Sequence, residues 1–144
     1  MNTNEEIKER LLFHGIKPSL QRMAIMKYLL DYQNHPTVDM IFNDLNPSIP
    51  TLSKTTVYNT LKLLSDQGAV LSLNIDEKNV RYDGETAAHA HFRCKKCEKI
   101  FDVAKNIMDI TVQDAVQESK DFRITEYHVY YRGYCKDCDE SEIK

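Results

Sequence analysis

Two pairs of cysteines constrain the fold of this chain more than any other feature. Cys94 and Cys97 form one CxxC pair, Cys135 and Cys138 form another, and 37 residues separate the two pairs. Each CxxC can fold as a knuckle that directs two thiolates at one point, and two knuckles complete a tetrahedral zinc site. We therefore expect the four cysteines to bind one structural Zn²⁺ ion.

Two other interpretations of the cysteines are redox-active pairs and four inert thiols. A redox-active CxxC usually opens a helix in a thioredoxin-like βαβ unit, and neither pair has that sequence context. In a reducing cytosol, paired cysteines are more often metal ligands or redox groups than structural disulfides. The spacing favours zinc.

A second group of metal-ligand residues surrounds the first cysteine pair. His89 and His91 lie two apart in a segment predicted to be extended, so both imidazoles project from one face of a strand. Asp102 ends the next strand-like stretch and Asp83 ends the one before. Imidazole and carboxylate ligands suit Fe(II), Mn(II) or Zn(II), and four thiolates already complete one site, so these groups would need a second ion. The alternative is a pair of surface histidines.

The first half of the sequence predicts a winged helix-turn-helix domain. Apolar spacing indicates a helix at 4–13, with Ile7, Leu11 and Leu12 on one side, and a second at about 20–32, with Ile25, Leu29 and Tyr32 one above another. A third helix begins after its N-cap Thr37, and a fourth lies at about 53–67. Ser19 is the expected N-cap of the second helix. The segments "AVLSLNI" and "VRYDG" flank a polar turn and predict a β-hairpin directly after the fourth helix. Helices followed by a two-stranded wing are typical of a DNA-binding domain whose later helix enters the major groove.

The fourth helix carries one polar face. If Val57, Leu61 and Leu64 face the core, side chains that can meet bases and phosphates face outward. These are Lys54, Thr55, Thr56, Tyr58, Asn59 and Lys62. A solvated helix face is the other interpretation, and the winged architecture favours DNA binding.

The second half predicts a small α/β unit, which makes the whole chain α+β. Strands are expected near 90–94 and 99–103, a helix near 106–119, and a long closing strand at 122–135. The edge of that strand, rich in Tyr and Val, could pair with its copy in a homodimer. The alternative is a monomer with a covered edge.

Charge and hydropathy limit which classes of protein the chain can belong to. The net charge is −3, and all of the acidic excess lies in the second half, so the first half can still present a basic face to DNA. No apolar run is long enough to span a membrane, and "MNTNEEIKER" has no signal-peptide character. A cytoplasmic location is the expectation.

Taken together, the motifs make the chain resemble the ferric uptake regulator (Fur) superfamily of bacterial metal-dependent repressors. The matching segments are "GIKPSLQR", "HPTVDMIFNDL", "LSKTTVYNTLKLLSDQGAV", "RYDG", "HAHFRCKKCEKIFD" and "GYCKDC", in family order from about residue 15 to 138. The resemblance implies a DNA-binding domain at 1–83, a hinge at 84–88 and a dimerisation and metal-binding domain at 89–144. It also implies a homodimer that binds double-stranded operator DNA.

Within that superfamily, the ligand pattern is most similar to the peroxide-sensing branch. The resemblance assigns His35, Asp83, His89, His91 and Asp102 to a regulatory Fe(II) or Mn(II) ion. The iron-sensing branch typically has Glu at the position of Asp102, so Asp favours a peroxide sensor. In that branch, Fe(II) and hydrogen peroxide oxidise the histidines that match His35 and His89, whereas Mn(II) binds without this reaction. An iron-responsive repressor is the alternative.

The chain departs from the family sequence in two places. The usual Arg-x-Thr-Pro-Gln-Arg is replaced by "KPSLQR", which changes the expected DNA contact at Lys17. Tyr127 stands where many relatives have an accessory-site histidine, and His128 is one residue along, so we interpret His128 as a non-ligand. His14 matches no ligand position.

The predicted function is therefore a metal-dependent repressor rather than an enzyme, with no small organic substrate. Two functions of other classes compete with it. A metallo-enzyme could use the histidines and aspartates to activate water, but no spare general base is evident. A zinc-stabilised DNA binder without sensing would bind DNA equally with and without Fe(II) or Mn(II).

Overall fold

Four helices form the first part of the chain, and side-chain caps set where they begin. The structure is a computed structural model and describes residues 2–87, 89–105, 121, 123 and 126–139. The helices are α1 (Asn4–Phe13), α2 (Leu20–Tyr32), α3 (Val38–Leu45) and α4 (Lys54–Asp66). The side chains of Thr3, Ser19, Thr37 and Ser53 each accept a hydrogen bond from a backbone N–H in the first turn of the helix that follows. The predicted caps Ser19 and Thr37 are confirmed.

The helices share one apolar core. Its fully buried members include Ile7, Leu11, Ile25, Leu29, Ile41, Val57, Leu61 and Leu64. Leu12 was expected on the buried side of α1 but is 53% exposed, because Ile7 and Leu11 form the i, i+4 stripe and Leu12 points away from it. Tyr32 was also expected in the stripe of α2 and is 67% exposed. It is the last residue of α2, and its ring lies 4.7 Å from the buried ring of Tyr28 instead.

A two-stranded wing follows α4. Strands β1 (Leu71–Leu73) and β2 (Arg81–Asp83) pair antiparallel, with Ser72 opposite Tyr82. The predicted hairpin is confirmed, and the first part of the chain is a winged helix-turn-helix. Directly after β2, Gly84 is buried against α2, where a Cβ atom would lie 3.3 Å from the backbone of Leu29. Only glycine allows this close approach without displacing the helix.

A three-stranded sheet forms the described part of the second half. Its strands are β3 (His89–Cys94), β4 (Ile100–Lys105) and β5 (Tyr130–Gly133), in the order β4-β3-β5. Strand β3 pairs antiparallel with β4 and parallel with β5. The strand predicted at 122–135 is too long, because residues 126–129 are not in a strand and the chain turns towards Cys135 after Gly133. The helix predicted near 106–119 lies outside the described residues.

The chain divides into two compact units, Met1–Thr86 and Ala87–Lys144. With a helical, winged first unit and a sheet in the second, the fold is α+β as predicted. None of the helices in the described ranges has the length and hydropathy needed to cross a bilayer.

Candidate metal centres and nucleic-acid interface

The four cysteines converge on one point in the second unit. Cys94 ends β3, Cys97 follows one turn later, and the other two lie just after β5. Their four Sγ atoms all lie within 4.8 Å of one another. The Sγ atoms of Cys97 and Cys135 are 3.8 Å apart, and a Zn–S bond of 2.3 Å gives a tetrahedral S···S edge of about 3.8 Å. The four thiols are free, and their geometry fits a structural Zn²⁺ ion.

The ionisation of these thiols also fits a bound cation. Burial opposes ionisation of Cys94, but backbone N–H groups of Cys135, Cys97 and Lys96 lower the pKa of its thiol to about 6. The hydrogen bond with Cys135 and burial raise the pKa of Cys138 to about 12. One thiolate therefore forms easily, whereas four crowded thiolates require a positive ion to neutralise them.

Main-chain hydrogen bonds hold the two cysteine knuckles together. The N–H of Lys95 donates to the carbonyl of Gly133 at 2.7 Å, which joins the end of β3 to the end of β5. Within the knuckles, the N–H of Glu98 donates to the carbonyl of Cys94, and the N–H of Cys138 donates to the carbonyl of Cys135, each at 3.0 Å. The parallel pairing of β3 and β5 therefore brings together cysteine pairs that are far apart in sequence.

A second cluster lies on the other end of the same sheet. His91 and Asp102 are register partners across β3 and β4, and His89 lies two residues before His91. Asp102 Oδ1 is 3.1 Å from His89 Nε2 and 3.4 Å from His91 Nε2. The two imidazoles are buried, with ring centroids 4.4 Å apart. Two nitrogens and a carboxylate oxygen directed at one another form a set of ligands for a divalent cation.

The ring of His89 is oriented for this role. Its Nδ1 lies 2.6 Å from the carbonyl oxygen of Ala87. A carbonyl oxygen can only accept, so Nδ1 donates to it, which leaves Nε2, on the side of Asp102, as the ring atom that could bind a cation. Such a backbone carbonyl contact commonly fixes the tautomer of a metal-ligating histidine.

A pair of the same chemistry lies in the first unit. His35 is between α2 and α3, Asp83 ends β2, and His35 Nε2 is 3.4 Å from Asp83 Oδ2. Both side chains are buried, at 4% and 3% exposed. Asp83 also accepts the N–H of Glu85 at 2.9 Å. A buried imidazole and a carboxylate at this distance form a further partial ligand set.

The chain matches a family of known proteins. The family model described as "Ferric uptake regulator family" matches residues 14–132. The chain belongs to the ferric uptake regulator family. It is 37% identical over 126 residues to the "Peroxide-responsive repressor PerR" of Staphylococcus epidermidis, which covers 88% of this chain and 83% of that relative.

Solved structures of the ferric uptake regulator family have the same fold. One is PerR from Streptococcus pyogenes, a structure that concerns peroxide sensing and gene regulation. It is 33% identical to this chain and has a TM-score of 0.52, and the match covers 96% of this chain and 95% of that one. The ferric uptake regulator Fur of Helicobacter pylori is 24% identical, with a TM-score of 0.73 over 98% of this chain and 97% of that one. The latter likeness concerns the fold alone.

Helix α4 of this family member presents the polar face that was predicted to meet DNA. Lys54, Thr55, Tyr58, Asn59 and Lys62 are exposed and Thr56 is half-buried, while Val57, Leu61 and Leu64 are buried. A groove beside this face is lined by Lys17, which precedes α2, by Arg22 in the first turn of α2, and by Thr56 and Asn59 from α4. Two of the lysines already pair with acids: Lys54 with Asp39 at 3.3 Å and Lys62 with Asp66 at 3.1 Å.

Two histidines outside the clusters have ordinary contacts. His14 Nδ1 lies 3.2 Å from the Gln67 carbonyl, at the end of α4. His128 Nε2 lies 3.3 Å from Glu126 and its ring is beside Tyr130.

Sequence reasoning missed one residue beside these ligands. Arg81 was not singled out, yet its guanidinium donates to the carbonyl of His35 at 3.3 Å. Because Arg81 and Asp83 are two apart in β2, they project from the same face. That alternation was a signal that could have placed Arg81 next to the predicted ligand.

Proposed function

We propose that this protein is a metal-dependent, DNA-binding transcriptional repressor that responds to hydrogen peroxide. The observation that carries the proposal is Asp102, whose Oδ1 faces Nε2 of both His89 and His91. An aspartate at this position favours the peroxide-sensing branch, and the chain is 37% identical to a peroxide-responsive repressor.

The regulatory ion is proposed to be Fe(II) or Mn(II), held by the residues of both histidine–aspartate clusters. These are His35, Asp83, His89, His91 and Asp102. Bound Fe(II) would activate hydrogen peroxide, so that one peroxide oxygen is inserted into a ring C–H bond of His35 or His89 and the other leaves as water; the imidazole is oxidised by two electrons and the peroxide is reduced. The carbonyl of Ala87 keeps the His89 ring in place with its Nε2 directed at the ion site.

The remaining assignments follow from the same proposal. Zn²⁺ at Cys94, Cys97, Cys135 and Cys138 stabilises the second unit, separate from sensing. The protein acts as a homodimer on double-stranded operator DNA, in the cytoplasm, and is not an enzyme. Its DNA contacts are Lys17, Lys54, Thr55, Thr56, Tyr58, Asn59 and Lys62, because these side chains surround one groove and one exposed helix face.

One experiment tests the peroxide response. Protein loaded with zinc and Fe(II) is bound to operator DNA and given one equivalent of hydrogen peroxide, with Mn(II)-loaded protein as the matched control. We expect a gain of about 16 mass units, one oxygen atom, on a peptide containing His35 or His89, together with release of DNA. The Mn(II) protein should keep both its mass and its DNA. An unchanged mass with DNA still bound to the Fe(II) protein would contradict the proposal and favour an iron-responsive repressor.

A further inference from the structure

Arg81 joins the turn of the wing to the backbone of His35. Its Nε donates to Asp76 Oδ2 at 3.0 Å, and its Nη1 donates to the His35 carbonyl at 3.3 Å. Asp76 is buried and also accepts the N–H of Lys78 at 2.9 Å, which closes the turn between β1 and β2. One planar group therefore contacts both the wing turn and the segment that carries His35.

Three consecutive residues of β2 contact the segment that carries His35 and Pro36. Beside the Arg81 contact, the N–H of Tyr82 donates to the Pro36 carbonyl at 3.0 Å, and Asp83 faces the His35 ring at 3.4 Å. Strand β2 thus contacts both the main chain of the His35 segment and the imidazole of His35. The wing and the ligand pair are a single packed structure.

The backbone of His35 needs such support. Its φ is +50°, in the left-handed region that residues other than glycine rarely adopt. The proline that follows restricts the residue before it further. A conformation of this kind persists only where surrounding contacts hold it, and Arg81 and Tyr82 donate hydrogen bonds to the two successive carbonyls of His35 and Pro36.

We propose that Arg81 is a positioning residue for the regulatory ion. Its side chain holds His35 beside Asp83 and thereby links ion binding at these two residues to the order of the wing turn at residues 76–80. The inference rests on the proposed role of His35 and Asp83 as ligands. It adds a coupling between ion binding and the wing within the first unit. A cation bound by both His35 and Asp83 stabilises β2. Strand β2 carries Arg81, whose hydrogen bond to Asp76 holds the wing turn. A better-ordered wing is then presented to DNA.

The first test measures Mn(II) affinity by titration calorimetry on the full-length, zinc-loaded protein. Arg81→Lys keeps the positive charge, but an ammonium group cannot reach both acceptors as the guanidinium fork does. We expect it to weaken Mn(II) binding by about tenfold, as loss of such outer contacts commonly does. Lys27→Gln is the matched control, because it breaks an ion pair of 2.6 Å with Asp31 on α2 and should leave Mn(II) affinity unchanged.

A double-mutant cycle separates positioning from general stability. If Arg81 acts through His35, adding Arg81→Lys to His35→Asn should cause no further loss of Mn(II) affinity. Additive losses would overturn the inference. Hydrogen exchange gives a second readout: Mn(II) should slow exchange of the amides at 76–80 in the wild type and not in Arg81→Lys.

The outcomes also distinguish this inference from the proposed function. If His35→Asn leaves Mn(II) affinity unchanged, the ligand assignment fails, and the inference that rests on it fails too. If His35→Asn weakens binding while Arg81→Lys does not, only the positioning role fails. Should Arg81→Lys lose its zinc or unfold, Asp76→Asn replaces it, since it loosens the same link from the wing side. Wild-type affinity and wild-type protection of the turn in Asp76→Asn would then overturn the inference.

Discussion

His91 and Asp102 face each other across β3 and β4, with 3.4 Å between Nε2 and Oδ1. The same oxygen is 3.1 Å from His89 Nε2. The antiparallel register of β3 and β4 holds the Asp102 carboxylate beside the two imidazoles, because all three side chains project from the same face of the sheet. The register of the two strands therefore brings these three groups together.

Removing the charge of Asp102 should weaken the regulatory site and leave the zinc site intact. Asp102→Asn keeps the size of the side chain but replaces an anionic ligand oxygen by a neutral one. We expect Mn(II) affinity to fall by at least about tenfold, measured by calorimetry, with zinc content unchanged. Asp121→Asn, at an exposed position of the same unit, is the control. Equal affinities of the two variants would argue against Asp102 as a ligand.

Loss of zinc should unfold the second unit selectively. Chelation, or Cys97→Ser, removes the cation that neutralises the crowded thiolates, so the bond from Lys95 N–H to the Gly133 carbonyl should open. Hydrogen exchange should then rise in β3 and β5 and stay slow in α2, whose Ile25 and Leu29 are in a separate apolar core. Lys96→Ala, in the same turn, should retain zinc. Protected β3 amides in zinc-free protein would show that the metal is dispensable for this fold.

The exposed face of α4 should govern DNA affinity. Asn59→Ala removes an amide that can pair with a base edge or a phosphate, and we expect a loss of about 1–3 kcal/mol in specific DNA binding. Fluorescence anisotropy on labelled operator would measure it. The control Asn43→Ala changes the same residue type at an exposed position of α3. If both variants bind DNA equally well, Asn59 makes no specific contact.

Asp31 should make the first unit sensitive to acid. Its carboxylate accepts from Lys27 Nζ at 2.6 Å and from both the N–H and the side chain of Asn2 at 3.1 and 3.0 Å. The hydrogen bond from Lys27, followed by those from Asn2, holds the pKa of Asp31 well below its usual range.

A carboxyl group with a depressed pKa in the folded state stabilises the fold above its unfolded pKa of about 3.9, and the contribution is lost as pH falls through the folded value. We therefore expect Asp31→Asn to lower the free energy of unfolding at pH 7 by about 1–2 kcal/mol. The difference from the wild type should shrink below pH 4. Urea unfolding at pH 7 and pH 3 measures both. A difference that does not change with pH would mean that the charge of Asp31 contributes nothing.

Much of this protein could be predicted because the relevant signals are local. Cap residues such as Ser19 and Thr37 precede their helices directly, and the polar turn after α4 marks the hairpin. The CxxC spacing indicates a zinc site without any knowledge of the chain between the pairs, because only two knuckles are needed to complete a tetrahedron. The HxH spacing likewise places two imidazoles on one strand face.

Other features depended on where segments of the chain meet. Leu12 and Tyr32 carry the apolar character of core residues, yet only packing decides that they lie outside the core. The short β5 follows from its register with β3, which the sequence does not state. The hydrogen bond between Arg81 and His35 joins residues 46 apart and uses a carbonyl that every residue has. The sequence by itself determined the ligand types and their spacing, whereas the tertiary structure decided which main-chain groups hold those ligands, because backbone contacts carry no side-chain signal.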